Sequence, residues 1–438
     1  MISARSGRST SIPLNAELHA LLSFGSAMLR AGATAFRVRQ WMGVMARTMD
    51  IDSLSVAFAL GSVTASVTRG VEHAMMITEV GPPGVNVWRI GALEDLAKRA
   101  KSGMTPDRIT AEIAAIEAAP LQYSRTSTAV AIGAACGAFA FLNNGGFFEV
   151  IAAGVGGGFG QGLRVWLTRR SFNQYGVTAL CALVASGIYV AVAMLCTQLG
   201  FGTSRHTAGF IASVLFLVPG FPLVGALLDL LQFETVVAMS RFTYGVMIAL
   251  MAAFGLSIVA GIIGFEVTPL QPLELSEALK LLLRGIASFV GGCGFAMVFN
   301  TSKRNVLAVG LLAFGANELR LALHDAGLML APATFLSALA VGLTASQIDW
   351  RLNAPRIAIT VPAIIIMIPG SYAFQMVVQF NRGHMLEGQQ AATLCGFVIG
   401  AMVMGLAAAR FLSRREKVPD KDAFLLQEAA NNTKPRLC

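Results

Sequence analysis

Charge is what this sequence lacks. Only 13% of its 438 residues are Asp, Glu, Lys or Arg, about half the usual share of a soluble domain. The deficit is uneven, because residues 1–120 hold 22 of the charged side chains while the remainder alternates apolar stretches with short polar breaks. Stretches of roughly 17–24 residues match a bilayer core spanned by a helix rising about 1.5 Å per residue. Segments such as 177–199 and 244–265 have no wet face, which a soluble all-α core would require. Histidine and cysteine are also scarce. The six cysteines show no CxxC or other metal-ligand spacing, so neither a metal centre nor a disulfide framework is expected. No HExxH, no P-loop lysine and no serine–histidine or paired-aspartate arrangement is present, His206 and His324 standing near span ends. These absences argue against an enzyme and against ATP-driven chemistry, and no cofactor is implied. The net charge of +9 comes from residues scattered at the ends of apolar segments, a pattern of membrane orientation and not of nucleic-acid binding.

What is present begins with a small soluble α+β domain, residues 1–120. The opening stretch carries Glu17, His19 and Arg30, which a cleavable signal would not contain. Asn15 caps an amphipathic helix reaching to about Met49. Three β-rich segments, 54–60, 63–68 and 73–80, then read as an antiparallel meander, followed by short helices over 91–101 and 105–118. Thr105-Pro106-Asp107 gives the second of these a cap and a proline at its first position.

The rest reads as about ten spans, centred near Ala135, Gly154, Ala185, Val218 and Gly255, then Gly291, Leu312, Leu336, Ile366 and Val403. With the N-terminal domain inside, twelve Lys and Arg flank the inner ends, among them Arg164, Arg241, Arg356 and Arg410. Five flank the outer ends: Arg205, Lys280, Arg284, Arg320 and Arg382. That bias places both termini, including the tail 413–438, in the cytoplasm of a cell whose inner (plasma) membrane holds the chain.

Two halves, 121–268 and 269–412, share landmarks. Leu217-Val218-Pro219-Gly220 returns 150 positions later as Met367-Ile368-Pro369-Gly370. Phe159-Gly160 returns as Phe314-Gly315, each followed by Leu-Arg, and Asn143 has a counterpart in Asn300. Five spans per copy is an odd number, so the second copy enters the membrane inverted, an architecture of secondary transporters. A mid-span Pro-Gly is a candidate helix break, and Pro222 reinforces the first. Bare backbone at membrane depth survives only inside protein or beside a wet cavity. An ordinary proline kink is the bland alternative.

Acids inside a membrane cost about 2.5–3.5 kcal/mol on insertion scales, which singles out Asp229 and Glu318 as proton-coupling candidates. The bland reading solvates Asp229 and Glu234 at the cytoplasmic end of their span or pairs them with Arg241. Glu318 could likewise pair with Arg320 beside Asn317, and Glu149 reads as interfacial. Gln375 and Gln379 follow Pro369, Gln379 standing where Asp229 stands in the first copy. The glycine run 154–162 lacks GxGxxG and a following lysine and contains GxxxG spacings, so it reads as close helix packing.

At this point the chain resembles the threonine/serine exporter family. Leu29-Arg30-Ala31-Gly32-Ala33-Thr34-Ala35-Phe36-Arg37-Val38 is similar to that family's N-terminal helix. Pro219-Gly220 with Asp229 and Glu234 resembles the signature of its first membrane half, an aspartate being expected at 234, and Met367–Tyr372 that of its second. The resemblance implies export of threonine and serine driven by the proton-motive force, with dicarboxylate (succinate) export in some relatives whose halves are separate chains. Arg164 or Arg320 would balance such an anion. The substrate-site expectation is Pro219, Gly220, Phe221, Pro222, Asp229, Asn300 and Asn317 with Pro369, Gly370, Ser371, Tyr372 and Gln375. The partners are a small-molecule amino acid or dicarboxylate, protons and lipid, and a homo-oligomer is compatible with all of this. A membrane sensor or scaffold is the reading from another class, and it predicts binding without flux.

Overall fold

A computed structural model describes residues 14–59, 61–100, 104–200, 207–264, 275–352 and 354–413. The expectations for Arg205, His206 and the tail beyond 413 lie outside these.

The expected first helix is two: α1 (Leu14–Arg30) and α2 (Ala35–Thr48). The chain turns at Gly32, whose φ of +96° only glycine adopts freely. A side chain there would also meet the Gly84 carbonyl and Phe221. Strands β1 (Ser53–Phe58), β2 (Ser62–Arg69) and β3 (Glu72–Glu79) form the meander in the order β1-β2-β3, antiparallel throughout. Alternation fixes its register: Val63, Ala65 and Val67 of β2 are buried, whereas Met75 and Ile77 of β3 face outward. The buried side packs on α1, whose Leu18, Leu21, Phe24 and Met28 form the domain's centre. Helices α3 (Val87–Arg99) and α4 (Pro106–Ala118) complete it. Asn86 caps α3, and Thr105 caps α4 with proline at its first position, the local chemistry the sequence specifies.

Beyond this domain the chain is helical: α5 (Arg125–Leu142), α6 (Phe147–Arg169), α7 (Gln174–Gln198), α8 (Thr207–Ala212), α9 (Gly220–Leu230) and α10 (Thr235–Ile262). Then follow α11 (Glu277–Val298), α12 (Lys303–Asp325), α13 (Leu330–Leu352), α14 (Arg356–Ile364), α15 (Gly370–Asn381) and α16 (Met385–Leu412). Among the described residues seven helices are long and apolar enough to cross a membrane, and counting each of two bent pairs as one span raises this to nine. The span expected near Gly154 is the 23-residue α6. Its glycines, with Glu149, Gln161 and Arg164, dilute its apolar content.

Both bends fall at the Pro-Gly pairs. The segment 207–217 meets α9 at 63°, and 356–367 meets α15 at 51°. Each opens with a single 3₁₀ turn, Leu215–Leu217 and Ile365–Met367. The two prolines adopt the same backbone, φ −80° and ψ 57° at Pro219, φ −79° and ψ 59° at Pro369. Neither break faces lipid; Pro219 and Pro369 are buried and the breaks lie against each other. A Cβ on Gly220 would lie 3.2 Å from Ile365 Cγ1, and a Cβ on Gly370 would lie 3.1 Å from Leu215 Cγ. Leu215 and Ile365 are themselves 150 positions apart, so the contact is reciprocal, as in a twofold interface. The bent pairs also run opposite ways: α9 ends against the N-terminal domain, where Asp229 meets Phe36, whereas α14 starts there, with Pro355 against Gly91.

Two landmarks need re-registering. Helices α6 and α12 correspond at an offset of 156 at both ends, which keeps Arg164 opposite Arg320 but leaves the two Phe-Gly pairs one residue out of step. The residue equivalent to Asn300 (φ 55°) is then Asn144 (φ 64°), not Asn143.

Overpacking a filled site costs about 1–3 kcal/mol. Gly220→Val should therefore lower the thermal unfolding temperature of the detergent-purified protein markedly. Gly315→Ala, with no atom within 4 Å of the added methyl, should leave it unchanged or raised.

Candidate functional site

The first break opens into a cavity of about 440 Å³ on the side carrying the N-terminal domain. Leu217, Val218, Pro219 and Gly220 form one wall, continued by Phe221 and Pro222. Helix α6 supplies Gln161 and Arg164, and Gln174 and Tyr244 lie opposite. The loop Pro83–Val85 and the linker residues Leu121 and Tyr123 roof it. Three arginines, Arg125, Arg164 and Arg169, are among the lining residues, and no Asp or Glu is.

Several polar groups here are unspent. The Arg164 guanidinium makes no hydrogen bond or ion pair among the described residues. The Gln161 Oε1 and the Tyr123 hydroxyl are buried without a partner. Burial, with the nearby Cys293 sulfur second, raises the Tyr123 phenol above its ordinary value of 10, so it stays a hydrogen-bond donor at any physiological pH. Tyr244 by contrast already donates to Gln174 Oε1. Buried polar atoms without partners are rare, and several around one cavity describe a place for a polar solute.

Asp229 is not part of that wall. It is fully buried, and its Oδ2 accepts from Arg241 Nη1 at 2.8 Å while Oδ1 accepts from the Phe36 backbone N–H at 3.3 Å. Thr34 does not cap α2 with its own side chain, so the Asp229 carboxylate does so from α9, where the helix dipole favours an anion. Arg241 Nη2 donates to the Ala33 carbonyl at 2.8 Å. One turn on, Arg39 forks onto Glu234, with Nε 2.6 Å and Nη2 2.9 Å from the two carboxylate oxygens. Both acids thus tie the N-terminal domain to α9 and α10; Asp229 makes the expected pair with Arg241, whereas Glu234 pairs with Arg39.

Asn300 is drawn away as well. Its Nδ2 donates to Asn86 Oδ1 at 3.0 Å and its Oδ1 accepts from the Gln122 backbone at 2.8 Å. The Val87 and Trp88 N–H groups meet the Phe299 and Asn300 carbonyls alongside. It anchors α3, for a reason local sequence does not carry.

Near the second break, Asn317 is fully buried and fully used. Its Nδ2 donates to Ser288 Oγ at 2.8 Å, and its Oδ1 accepts from Arg320 Nη2 at 2.8 Å and Nε at 3.1 Å. Arg320 Nη1 reaches the Met367 carbonyl at 3.4 Å, just before Pro369. Arg320 is therefore not paired with Glu318, whose Oε1 is buried without a hydrogen-bond partner. Ser371, Tyr372 and Gln375 are half-buried on the first turns of α15. Glu149, expected at the interface, is buried, with Oε1 3.3 Å from the Gly209 N–H. Gln161 and Tyr123 were not anticipated; Gln161 stands three residues before Arg164 as Asn317 stands before Arg320, a parallel the Leu-Arg landmark already contained.

A mostly helical, apolar chain with two buried helix breaks and a polar cavity at one of them defines a polytopic membrane protein of the transporter type. Residues 19–263 match the family described as "Putative threonine/serine exporter", and residues 284–412 that described as "Threonine/Serine exporter, ThrE". The chain belongs to the threonine/serine exporter family. It is 25% identical over 376 residues to a "Probable threonine/serine exporter" of Mycobacterium tuberculosis, covering 82% of this chain and 68% of that one. It is also 23% identical over 231 residues to a "Probable succinate transporter subunit YjjP" of Klebsiella aerogenes, covering 52% of this chain and 86% of the relative. No solved structure matches.

Removing one partner of a buried ion pair costs about 3–5 kcal/mol, because the other charge stays buried. Asp229→Ala should lower the unfolding temperature strongly and expose the linker 119–124 to limited proteolysis. Combining Asp229→Leu with Arg241→Met should restore much of the stability.

Proposed function

We propose that the chain is a secondary transporter that exports small carboxylate-bearing solutes, threonine and serine first, through the cavity at the first break. The observation that carries this is Arg164, a cation without a partner among the described residues, set in a cavity beside an unwound segment and lined by no acid. An arginine fork suits a carboxylate. The substrate's ammonium and hydroxyl would be met by Gln161 Oε1, Tyr123 and the free backbone of the break. The matching offsets, the equal backbone angles at Pro219 and Pro369 and the reciprocal Gly220 and Gly370 contacts support two five-span halves, 121–268 and 269–412, in inverted orientation behind an N-terminal domain of about 120 residues. The arginine bias supports an inner-membrane location with both termini cytoplasmic. The cavity would then open inward, as loading an exporter requires.

Three arginines without a balancing acid also favour a second reading, a dicarboxylate substrate, and a YjjP relative carries the succinate name. For proton coupling, Glu318 is the stronger of the two acids proposed, since Asp229 is committed to Arg241 and Phe36.

Uptake of labelled threonine, serine and succinate into proteoliposomes, with and without a pH gradient, tests these readings. Threonine or serine flux that Arg164→Gln lowers about tenfold or more, the scale of one lost charged hydrogen bond, is expected. Succinate displacing threonine would favour the second reading, and solute binding without any flux would favour a sensor. Glu318→Gln should abolish stimulation by the pH gradient while sparing exchange at equal pH.

A further inference from the structure

Arginine inside a membrane protein needs acceptors or water at its fork. Arg320 and Arg164 occupy equivalent places on α12 and α6 but meet this need differently. Arg320 is closed down: Nε and Nη2 share Asn317 Oδ1, and Nη1 lies 3.4 Å from the Met367 carbonyl, the last but one before Pro369. Arg164 has a cavity in front of it and no partner among the described residues. The acceptors it would need for the same arrangement are in place. Gln161 precedes Arg164 by three residues as Asn317 precedes Arg320, and its Oε1 is buried and unpartnered. Leu217 precedes Pro219 as Met367 precedes Pro369, and Leu217 lines the cavity.

We propose that Arg164 and Arg320 are alternating latches. In this state Arg320 is locked onto Asn317 and the Met367 carbonyl while Arg164 stands open for a carboxylate. In the opposite state Arg164 closes onto Gln161 and the Leu217 carbonyl while Arg320 is released to the other side. The physical reason is the cost of an unsatisfied guanidinium. When the cavity at the first break collapses and loses its water or solute, Arg164 must find protein acceptors, and Gln161 Oε1 is an acceptor left without a donor in the present state. The exchange rests on the transporter reading above, but its readout does not use substrate.

The experiment measures accessibility. Val218→Cys and Ile368→Cys, 150 positions apart, are placed separately in the full chain with its six native cysteines replaced. Each is labelled with a membrane-impermeant maleimide in inverted and right-side-out vesicles. Arg320→Gln and the milder Asn317→Ala should speed labelling of the cysteine at 368 from the face opposite the N-terminal domain and slow it at 218. Arg164→Gln and Gln161→Ala should do the reverse. Each shift should be about tenfold, the population change that loss of one hydrogen bond to a charged group produces. Unchanged rates, or both cysteines moving together in the two alanine variants, overturn the proposal. Opposite shifts in a protein that moves neither threonine nor succinate would keep the latches and refute the substrate reading; flux with unchanged labelling would do the converse.

Discussion

Two interrupted helices at membrane depth can be buried only against something that tolerates bare backbone, and here each is buried against the other. Gly220 admits Ile365 and Ile368, and Gly370 admits Leu215. A side chain at either glycine would push the breaks apart and bring unpaired N–H and C=O groups toward lipid, where each costs several kcal/mol. The cavity follows from that contact. Because the breaks cross at their Pro-Gly turns, α9 leans toward the N-terminal domain and α15 away from it, and the space left between α6, α10 and the first break becomes the polar pocket. Arg164 and Gln161 have a place to point only because the crossing holds that wall open.

The N-terminal domain is fastened at two places, to the loop between α11 and α12 through Asn86 and Asn300 and to α9 and α10 through Asp229 and Glu234. Asp229 lies on α9, the half-helix that a rearrangement at Pro219 would swing, and it holds the first turn of α2. Glu234 holds Arg39 at the start of α10. The loop Pro83–Val85 and Tyr123 meanwhile roof the cavity. Any tilt of α9 must carry the domain with it or break the bond that Asp229 accepts from the Phe36 N–H. Asp229, one of the two acids that suggest proton chemistry, is in this state part of the fastening between domain and bundle, together with Glu234.

Much of this was legible in the sequence because local chemistry determines it. Thr105 and Pro106 start α4, the alternation of Val63, Ala65 and Val67 sets the sheet, and the Pro-Gly pairs mark both bends. The helix expected from Asn15 to Met49 fails at Gly32, since a hydrophobic period continues across a turn whose φ the pattern does not encode. The Phe-Gly landmark was one residue out of step because two letters recur by chance more readily than whole helix ends correspond. The docking roles of Asp229 and Asn300 were not legible for another reason. Their partners, Phe36 and Asn86, are 193 and 214 positions away, and a rare polar residue in an apolar stretch looks the same whether it meets a solute or another domain. The free groups were the harder ones to see, since a lack of partners exists only in three dimensions.

The two bent helix pairs match in backbone at their prolines and differ in chemistry, and the difference has a direction. At the end of α9 that faces the N-terminal domain the chain has Asp229, Arg241 and Glu234 bonded to α2 and the turn before it. At the corresponding end of α15, Gln379 pairs its side chain with His384, at 3.1 Å on an exposed surface. Buried charged contacts are far more costly to break than an exposed neutral one. The second break is held by Arg320 and its acceptors, whereas α9 beyond the first break is held by the buried Asp229 contacts to α10 and α2. With the pocket open beneath the N-terminal domain, Arg39 is paired with Glu234 and Arg241 bridges Asp229 and the Ala33 carbonyl, so a swing of α9 that closed the pocket would act against these contacts.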